Sequence, residues 1–289
     1  MNKCEKLAFA TTQIIVQRKD GAFSRGTGFF VKLLVDGNEE LVLVTNRHVV
    51  ENAFKTTIIV SLQKENAVRV GNTQTIDILA AKWIEHPDPS VDLCCYVATE
   101  LRAVSEAKDD VRWFVSPFGY EQIATKVELQ EYAPTDEVFA VGYPDGLRDE
   151  INNQPFFRRG ILAGIPALNY KGQEQFVVDM PVYPGSSGSP VFGIHHGIHA
   201  KGDEVLYIPA HEGDAKLLGV VTRTFLHTAD GQVNIIPVGA LLATTTTVPN
   251  NLGIAIKAYK ILDFAKQLSK RDEHEPLRRN DNLRQTTKD

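Results

Sequence analysis

A turn of small residues around Ser187 is the first stretch of the chain with the composition of a reactive site. It reads Gly185-Ser186-Ser187-Gly188 and joins two apolar strands. A serine between glycines has little steric cover, so its hydroxyl can reach an incoming carbonyl. Glycine also lets backbone N–H groups turn inward, toward the position of a tetrahedral oxyanion. By itself the stretch is equally typical of an ordinary glycine-serine turn.

His48 and Asp92 are candidates for the base and the orienting acid that a nucleophilic serine requires. A hydroxyl is a weak nucleophile and needs a base, and histidine takes and returns a proton near neutral pH. An acid must then hold the imidazole in the right tautomer. His48 follows the apolar stretch 41–45, and Asp92 precedes the apolar run 93–97. These positions predict side chains that are supported by strands and directed toward a common site.

Each of these assignments has a neighbour that competes with it. Asp88 lies between two prolines, where it suits the capping of a turn. Ser186 and Ser189 compete with Ser187, but the frame Gly-x-Ser-Gly-x-Pro favours Ser187. We therefore take Asp92 and Ser187 as the candidates.

Short strands rich in β-branched and aromatic residues dominate the chain, which predicts an all-β fold. One set is predicted at 12–16, 27–34, 40–45, 56–60, 76–83 and 92–97. A second set is predicted at 137–142, 160–165, 175–179, 188–194, 205–208, 217–224 and 233–237. We expect two six-stranded antiparallel β-barrels, with a short helix at 120–131 in the connector and a C-terminal α-helix at 258–270.

These elements predict four segments. Residues 1–134 form the N-terminal barrel with His48 and Asp92, together with the connector. Residues 135–256 form the C-terminal barrel with Ser187. Residues 257–270 form the helix, and the polar residues 271–289 form a disordered tail.

Composition excludes several classes of function. The net charge is −5, so we expect no nucleic-acid partner, and no apolar run of about 18 residues predicts a membrane span. The start of the chain lacks the features of a signal peptide. Cys4, Cys94 and Cys95 form neither a disulfide framework nor a zinc motif, which favours a reducing compartment. We expect a cytoplasmic protein.

Three motifs together resemble those of chymotrypsin-like (trypsin-like) serine peptidases. They are Thr-Asn-Arg-His-Val-Val ending at residue 50, Asp-Leu-Cys from residue 92, and Gly-Ser-Ser-Gly-Ser-Pro from residue 185. The order His, Asp, Ser is the one that this family uses. The chain is most similar to bacterial intracellular trypsin-like peptidase-domain proteins, over about residues 7–268.

The resemblance implies a serine endopeptidase that acts on proteins or peptides. Ser187 would be the nucleophile, His48 the general base and acid, and Asp92 the orienting carboxylate. The N–H groups of Gly185 and Ser187 would form the oxyanion hole. The strand with Thr222, Arg223 and Thr224 would pair with the substrate backbone.

Two departures from trypsins limit what carries over. Ser186 replaces the aspartate that pairs with a freed N-terminus, so we expect no activation by that route. Pro181 falls where trypsin has the aspartate of its specificity pocket, so Lys/Arg specificity is not expected. Arg223 and Thr224 near the pocket edge would favour an acidic or a small apolar P1 residue.

No metal or organic cofactor is expected. His196 and His199 are three residues apart, with His195 and His211 nearby, but no cysteine or carboxylate frame supports a metal site. The alternatives to a peptidase are a catalytically silent or gated binding module of the same fold, and an esterase with the same triad. A regulated effector with a regulatory protein partner is a further hypothesis, since free proteolysis inside a cell is toxic.

Overall fold

The computed structural model describes residues 1–64, 67–79, 82–109, 112–195, 197–201, 204–208, 213–234 and 241–274. In these residues strands predominate and the helices are short. The predicted all-β class is therefore confirmed. None of the helices in the described ranges has the length and apolar character needed to cross a membrane.

The N-terminal half forms one mainly antiparallel sheet. Its strands are β1 Thr11–Arg18, β2 Phe23–Val35, β3 Asn38–Thr45, β4 Ala53–Lys64, β5 Ala67–Leu79, β6 Ile84–Glu85, β7 Cys94–Val97, β8 Arg112–Phe114 and β9 Phe118–Gly119. The order is β5-β4-β1-β2-β3-β7-β6, with β8 on β4 and β9 parallel to β2. The described part of this half thus has nine strands where six were predicted, because short segments add to its edges.

Local sequence explains how these strands connect. Asp36 and Gly37 both have positive φ, which is the geometry of a two-residue hairpin turn between β2 and β3. The apolar residues of β3 from Leu41 to Val44 are all buried, so the strand runs through the core of the sheet. It therefore holds the segment that follows it, which contains His48, in a fixed position.

The C-terminal half contains a closed barrel with the order β10-β11-β12-β17-β16-β13. The strands are β10 Glu137–Gly142, β11 Phe156–Leu162, β12 Gln175–Asp179, β13 Pro190–His195, β14 Gly197–Lys201, β15 Glu204–Ile208, β16 Asp214–Asn234 and β17 Leu241–Lys257. β14 and β15 form a separate hairpin. The six-stranded barrel predicted for this half is confirmed.

Four α-helices accompany the strands in the described ranges: α1 Lys3–Ala8, α2 Arg47–Val50, α3 Thr99–Asp109 and α4 Asp263–His274. α1 begins with a capping box between Asn2 and Glu5, a signal that the sequence prediction missed. The helix expected at 120–131 is replaced by two 3-10 helices, Tyr120–Gln122 and Glu128–Glu131. Between them the N–H of Ala124 donates to the carbonyl of Leu217, which attaches the chain to the barrel.

Two further predicted elements have limits that differ from the residues described in the structure. The predicted helix 258–270 consists of a 3-10 helix, Ala258–Leu262, followed by α4, which continues to His274. The predicted strand 233–237 extends into residues 235–240, which lie outside the described residues, and so do residues 275–289 of the expected tail. The segment boundaries proposed from the sequence stay predictions.

The two halves share a hydrophobic core. Phe118 contacts Phe29 within the N-terminal half at a centroid distance of 6.1 Å and Phe192 of the barrel at 6.2 Å. The same core includes Ile261 and Phe264 near the C-terminus. This packing fixes the halves against each other, so that side chains from both can meet at one site.

Helix α4 of the C-terminal half packs against the N-terminal half. Phe264 is completely buried, and its ring lies edge-on to the imidazole of His86 at 5.3 Å. The side chain of Gln267 donates to the carbonyl of Glu85 at 3.2 Å, and Ser269 donates to Asp36 at 2.8 Å. The helix thereby holds the two halves together.

We predict that Phe264→Ala lowers the free energy of unfolding by about 3–5 kcal/mol, because it leaves a cavity between the halves. Urea denaturation followed by tryptophan fluorescence measures the change. Lys266→Ala on the exposed face of the same helix is the control and should change stability by less than about 0.5 kcal/mol. Equal stability of the two variants would contradict the role given to α4.

Candidate active site

His48 lies in the short helix α2, directly after β3. Asn46 forms the N-cap position and is fully buried, and its side chain donates to the carbonyl of Asp92 at 2.9 Å. Val49 and Val50 are buried on the inner side of the helix. The helix is therefore anchored on both sides of His48, whose own side chain keeps 42% of its exposure.

The carboxylate of Asp92 is largely enclosed, with 11% of its side chain exposed. It accepts three hydrogen bonds. The backbone N–H of His48 donates to Oδ1 at 3.0 Å, while Oδ2 lies 2.6 Å from His48 Nδ1 and accepts from the Thr222 hydroxyl at 2.7 Å. Both oxygens are thus satisfied by donors from the two halves of the molecule.

These bonds set the charge of Asp92 and the tautomer of His48. Burial raises the pKa of the Asp92 carboxyl, but the bonds from His48 and Thr222 outweigh burial and hold the pKa below its ordinary value. An ionised carboxylate only accepts, so His48 Nδ1 carries the proton that it donates. In neutral imidazole Nε2 is then left as an acceptor.

The turn around Ser187 depends on two glycines with positive φ, Gly185 at 87° and Gly188 at 88°. A side chain at Gly188 would collide with the carbonyl of Thr27, and one at Gly185 would collide with the carbonyl of Tyr143. Both positions therefore require glycine for space as well as for backbone conformation.

Strands from both halves hold this turn. Thr27 of β2 donates its N–H to the carbonyl of Ser187 and its hydroxyl to the carbonyl of Gly185, both at 2.9 Å. On the other side the N–H of Gly188 donates to the carbonyl of Val221 in β16, also at 2.9 Å. These three bonds fix the position of Ser187 relative to β2 and β16.

The Ser187 hydroxyl is half-buried and lies 3.5 Å from the carbonyl of Thr222, at the long end of hydrogen-bond distances. No hydrogen bond joins it to His48 within the described part of the chain. Such bonds are often long in the absence of substrate. Thr222 links the two groups, because its hydroxyl contacts Asp92 and its carbonyl faces Ser187.

Two backbone donors of the turn are unused. Among the described residues, the N–H groups of Gly185 and Ser187 donate to no acceptor. The carbonyl of Pro184 accepts from the N–H of Asp145 at 2.5 Å. Since the C=O and N–H of a trans peptide point in opposite directions, this bond directs the N–H of Gly185 away from Asp145.

The competing residues have other environments. Ser186 and Ser189 are buried, and the Ser186 hydroxyl accepts from the N–H of Tyr183 at 3.3 Å. Asp88 caps an exposed turn by accepting from Ser90, which holds the pKa of its carboxyl below the ordinary value. None of these three groups contacts His48.

The expected substrate-binding residues lie along one free edge. The pairing of β16 with β13 ends at Val220, so the edge at Thr222, Arg223 and Thr224 has no second strand partner in the described ranges. Arg223 is exposed and Thr224 is half-buried. Pro181 lines a small cavity behind the Ser187 turn, together with Arg158.

Metal binding finds no support in the described residues, where no group of three His, Cys, Asp or Glu side chains is close enough to hold an ion. His196 and His211 lie outside the described residues. The sequence analysis missed Thr27 and Asp145 as residues that position the Ser187 turn. Both act through contacts more than 30 residues away in the chain, for which a single sequence holds no signal.

Comparison with known proteins identifies the family of this chain. The model of the trypsin-like peptidase domain matches residues 26–197, whereas a search of curated proteins found no match. The chain is similar to the structure described as "HtrA-type protease AlgW with tripeptide" (TM-score 0.50, 15% identity, 92% of this chain and 62% of that chain). It is equally similar to a serine endoprotease from Yersinia pestis (TM-score 0.50, 15% identity, 92% and 65%).

The structural neighbours, at 15% identity, show the fold alone, and the matches cover less than two thirds of their length. The family model covers more than half of the chain, including the positions of His48, Asp92 and Ser187. The protein belongs to the trypsin-like peptidase domain family.

Proposed function

We propose that the protein is a serine endopeptidase in which Ser187 attacks the peptide carbonyl, His48 acts as base and acid, and Asp92 orients His48. The observation that carries this proposal is the position of Thr222. Its hydroxyl contacts the carboxylate that holds His48, and its carbonyl contacts the Ser187 hydroxyl. Family membership supports the same reaction class.

In the proposed reaction, His48 Nε2 takes the proton of the Ser187 hydroxyl while Oγ forms a bond to the peptide carbonyl carbon. The tetrahedral intermediate collapses, and the imidazolium gives its proton to the leaving amine. Water then attacks the acyl-enzyme, with His48 again taking a proton, and the carboxylic acid leaves. Asp92 stays ionised and stabilises the imidazolium at 2.6 Å.

The N–H groups of Gly185 and Ser187 are the proposed oxyanion donors, since neither donates to an acceptor in the described part of the chain. The peptide substrate would extend the barrel by pairing with Thr222, Arg223 and Thr224. The described residues that line the cavity around Pro181 include no carboxylate, in agreement with a pocket that does not select lysine or arginine.

A reducing, cytoplasmic location is part of the proposal. Cys4, Cys94 and Cys95 form no disulfide, although Cys94 and Cys95 are buried and adjacent in the chain. We also propose that the protein is a regulated intracellular effector and that a protein partner controls its peptidase activity.

One observation favours a second candidate, a silent or gated binding module. The only hydrogen bond of the Ser187 hydroxyl to the described residues is the one to Thr222, and it is not directed to His48. In such a module the serine would stay unreactive in the folded protein.

A fluorophosphonate probe separates the two candidates. We predict stoichiometric labelling of the folded wild type at Ser187, and a loss of kcat/KM of at least about 10³-fold in Ser187→Ala. Intact-mass spectrometry and a casein assay measure both. Ser269→Ala on α4 should be labelled like the wild type, and an unlabelled, folded wild type would support the binding module.

Thr222→Val tests the hydrogen bond to Asp92. Because a bond to a charged group is lost, we expect about 2 kcal/mol less stability at pH 7 and a higher pKa for Asp92, while Thr222→Ser keeps both. The folded protein holds the Asp92 pKa low, so this stability is present above the ordinary aspartate pKa of about 3.9 and is lost as the pH falls through the lower folded value.

Urea titrations of Thr222→Val and Thr222→Ser between pH 7 and pH 3 measure this difference. The gap between the two variants should shrink toward low pH as Asp92 becomes protonated. A gap that is constant with pH would show that Thr222 does not act through Asp92.

Cleavage of an equimolar peptide library tests the proposed specificity. We predict that cuts after alanine, valine or glutamate are at least about tenfold more frequent than cuts after lysine or arginine. Arg223→Glu should reduce cleavage after glutamate and preserve cleavage after alanine, and Arg112→Glu, an exposed site in the other half, should change neither. A dominant cut after lysine or arginine would refute this specificity.

A further inference from the structure

A second cavity lies at the opposite end of β12 from the Ser187 turn. Its volume is about 200 Å³, and its polar lining consists of Lys126, Gln130, Asn169, Glu174, Lys257 and Tyr259. It is formed where the loop between β11 and β12 meets the end of β17. The proposed peptidase reaction uses none of these residues.

Lys257 is the unusual member of this lining. It is only 1% exposed, and its ammonium group donates to two neutral acceptors, the carbonyl of Ala167 at 2.9 Å and Asn169 Oδ1 at 2.8 Å. No carboxylate of the described residues forms an ion pair with it. An ammonium has three N–H donors, and only two of them have an acceptor among the described residues. A buried charge of this kind is costly unless it is paired.

Glu174, the carboxylate of the cavity, does not serve as this partner. Its Oε1 lies 2.8 Å from Lys126 Nζ and accepts from the Tyr259 hydroxyl at 2.9 Å, while Oε2 lies 3.2 Å from Lys260 Nζ. Burial lowers the pKa of Lys257, and the attraction of the Glu174 charge offsets this effect only in part. The two lysines and one glutamate of the lining leave a net charge of +1 around the cavity.

We propose that this cavity binds a small oxyanion, a phosphate or a carboxylate group. The third N–H of Lys257 is its principal ligand, and Lys126, Asn169 and Gln130, which also line the cavity, supply further N–H donors. Asn169 is suited to this role because its Oδ1 already accepts from Lys257, which leaves its amide nitrogen as a donor. The bound anion supplies the counter-charge that the protein itself does not.

The test is isothermal titration calorimetry with sodium phosphate and with sodium acetate at constant ionic strength. We expect the wild type to bind one or both anions, and Lys257→Met to bind them at least about tenfold more weakly, because a charged hydrogen-bond donor is lost. Lys82→Met removes an exposed lysine elsewhere and should bind like the wild type. Binding of phosphate alone, of acetate alone or of both anions would identify the chemical group that the site accepts.

A wild type that binds neither anion, or equal binding by Lys257→Met and Lys82→Met, would overturn the proposal. If Lys257→Met does not fold, Lys126→Gln decides, because that side chain is 70% exposed. It should bind about threefold more weakly than the wild type, and unchanged binding would count against the site. These measurements need no proteolytic activity, so their result is independent of the proposed function.

Discussion

A carboxylate removed from water must find donors inside the protein, and Asp92 finds them in both halves of the molecule. His48 in helix α2 supplies two from the N-terminal half, and Thr222 supplies one from the barrel. Removing either contribution would leave a buried charge partly unpaired, which costs more than the bond itself is worth. The position of His48 relative to β16 is therefore set by the hydrogen bonds that the buried Asp92 carboxylate requires.

Bonds of this length across an interface require that the two halves keep a fixed relative position. The hydrophobic core around Phe118 and Phe192 provides it by packing, and α4 holds the halves together from outside. Thr27 adds a directional constraint, since its N–H and hydroxyl bind two carbonyls of the Ser187 turn. Packing sets the distance between the halves, and the hydrogen bonds of Thr27 and Thr222 set their register.

The sequence predicted the parts of this arrangement that have local signals. The β-branched strands and the glycines around Ser187 have compositions typical of their geometry, and the all-β class was predicted from the strands. The limits of α4 and the two 3-10 helices near residues 120–131 could not be predicted, because contacts with distant strands decide them. For the same reason the hydrogen bond from the N–H of Asp145 to the carbonyl of Pro184 could not be predicted. Ser187 is half-buried while Ser186 and Ser189 are buried, and the choice of Ser187 as the nucleophile stays a prediction.

The exposure of His48 and Asp92 differs in the direction that the proposed chemistry requires. Asp92 keeps only 11% of its side-chain exposure, so water does not weaken its bond to His48 Nδ1. His48 keeps 42% of its side-chain exposure, which leaves room for a substrate to reach the proposed base. Deeper burial of the imidazole would disfavour its protonated form, which the proposed reaction requires. Greater exposure of Asp92 would weaken its hydrogen bond to His48. Asp92, the proposed orienting acid, therefore lies inside the protein, and His48, the proposed base, lies at its surface.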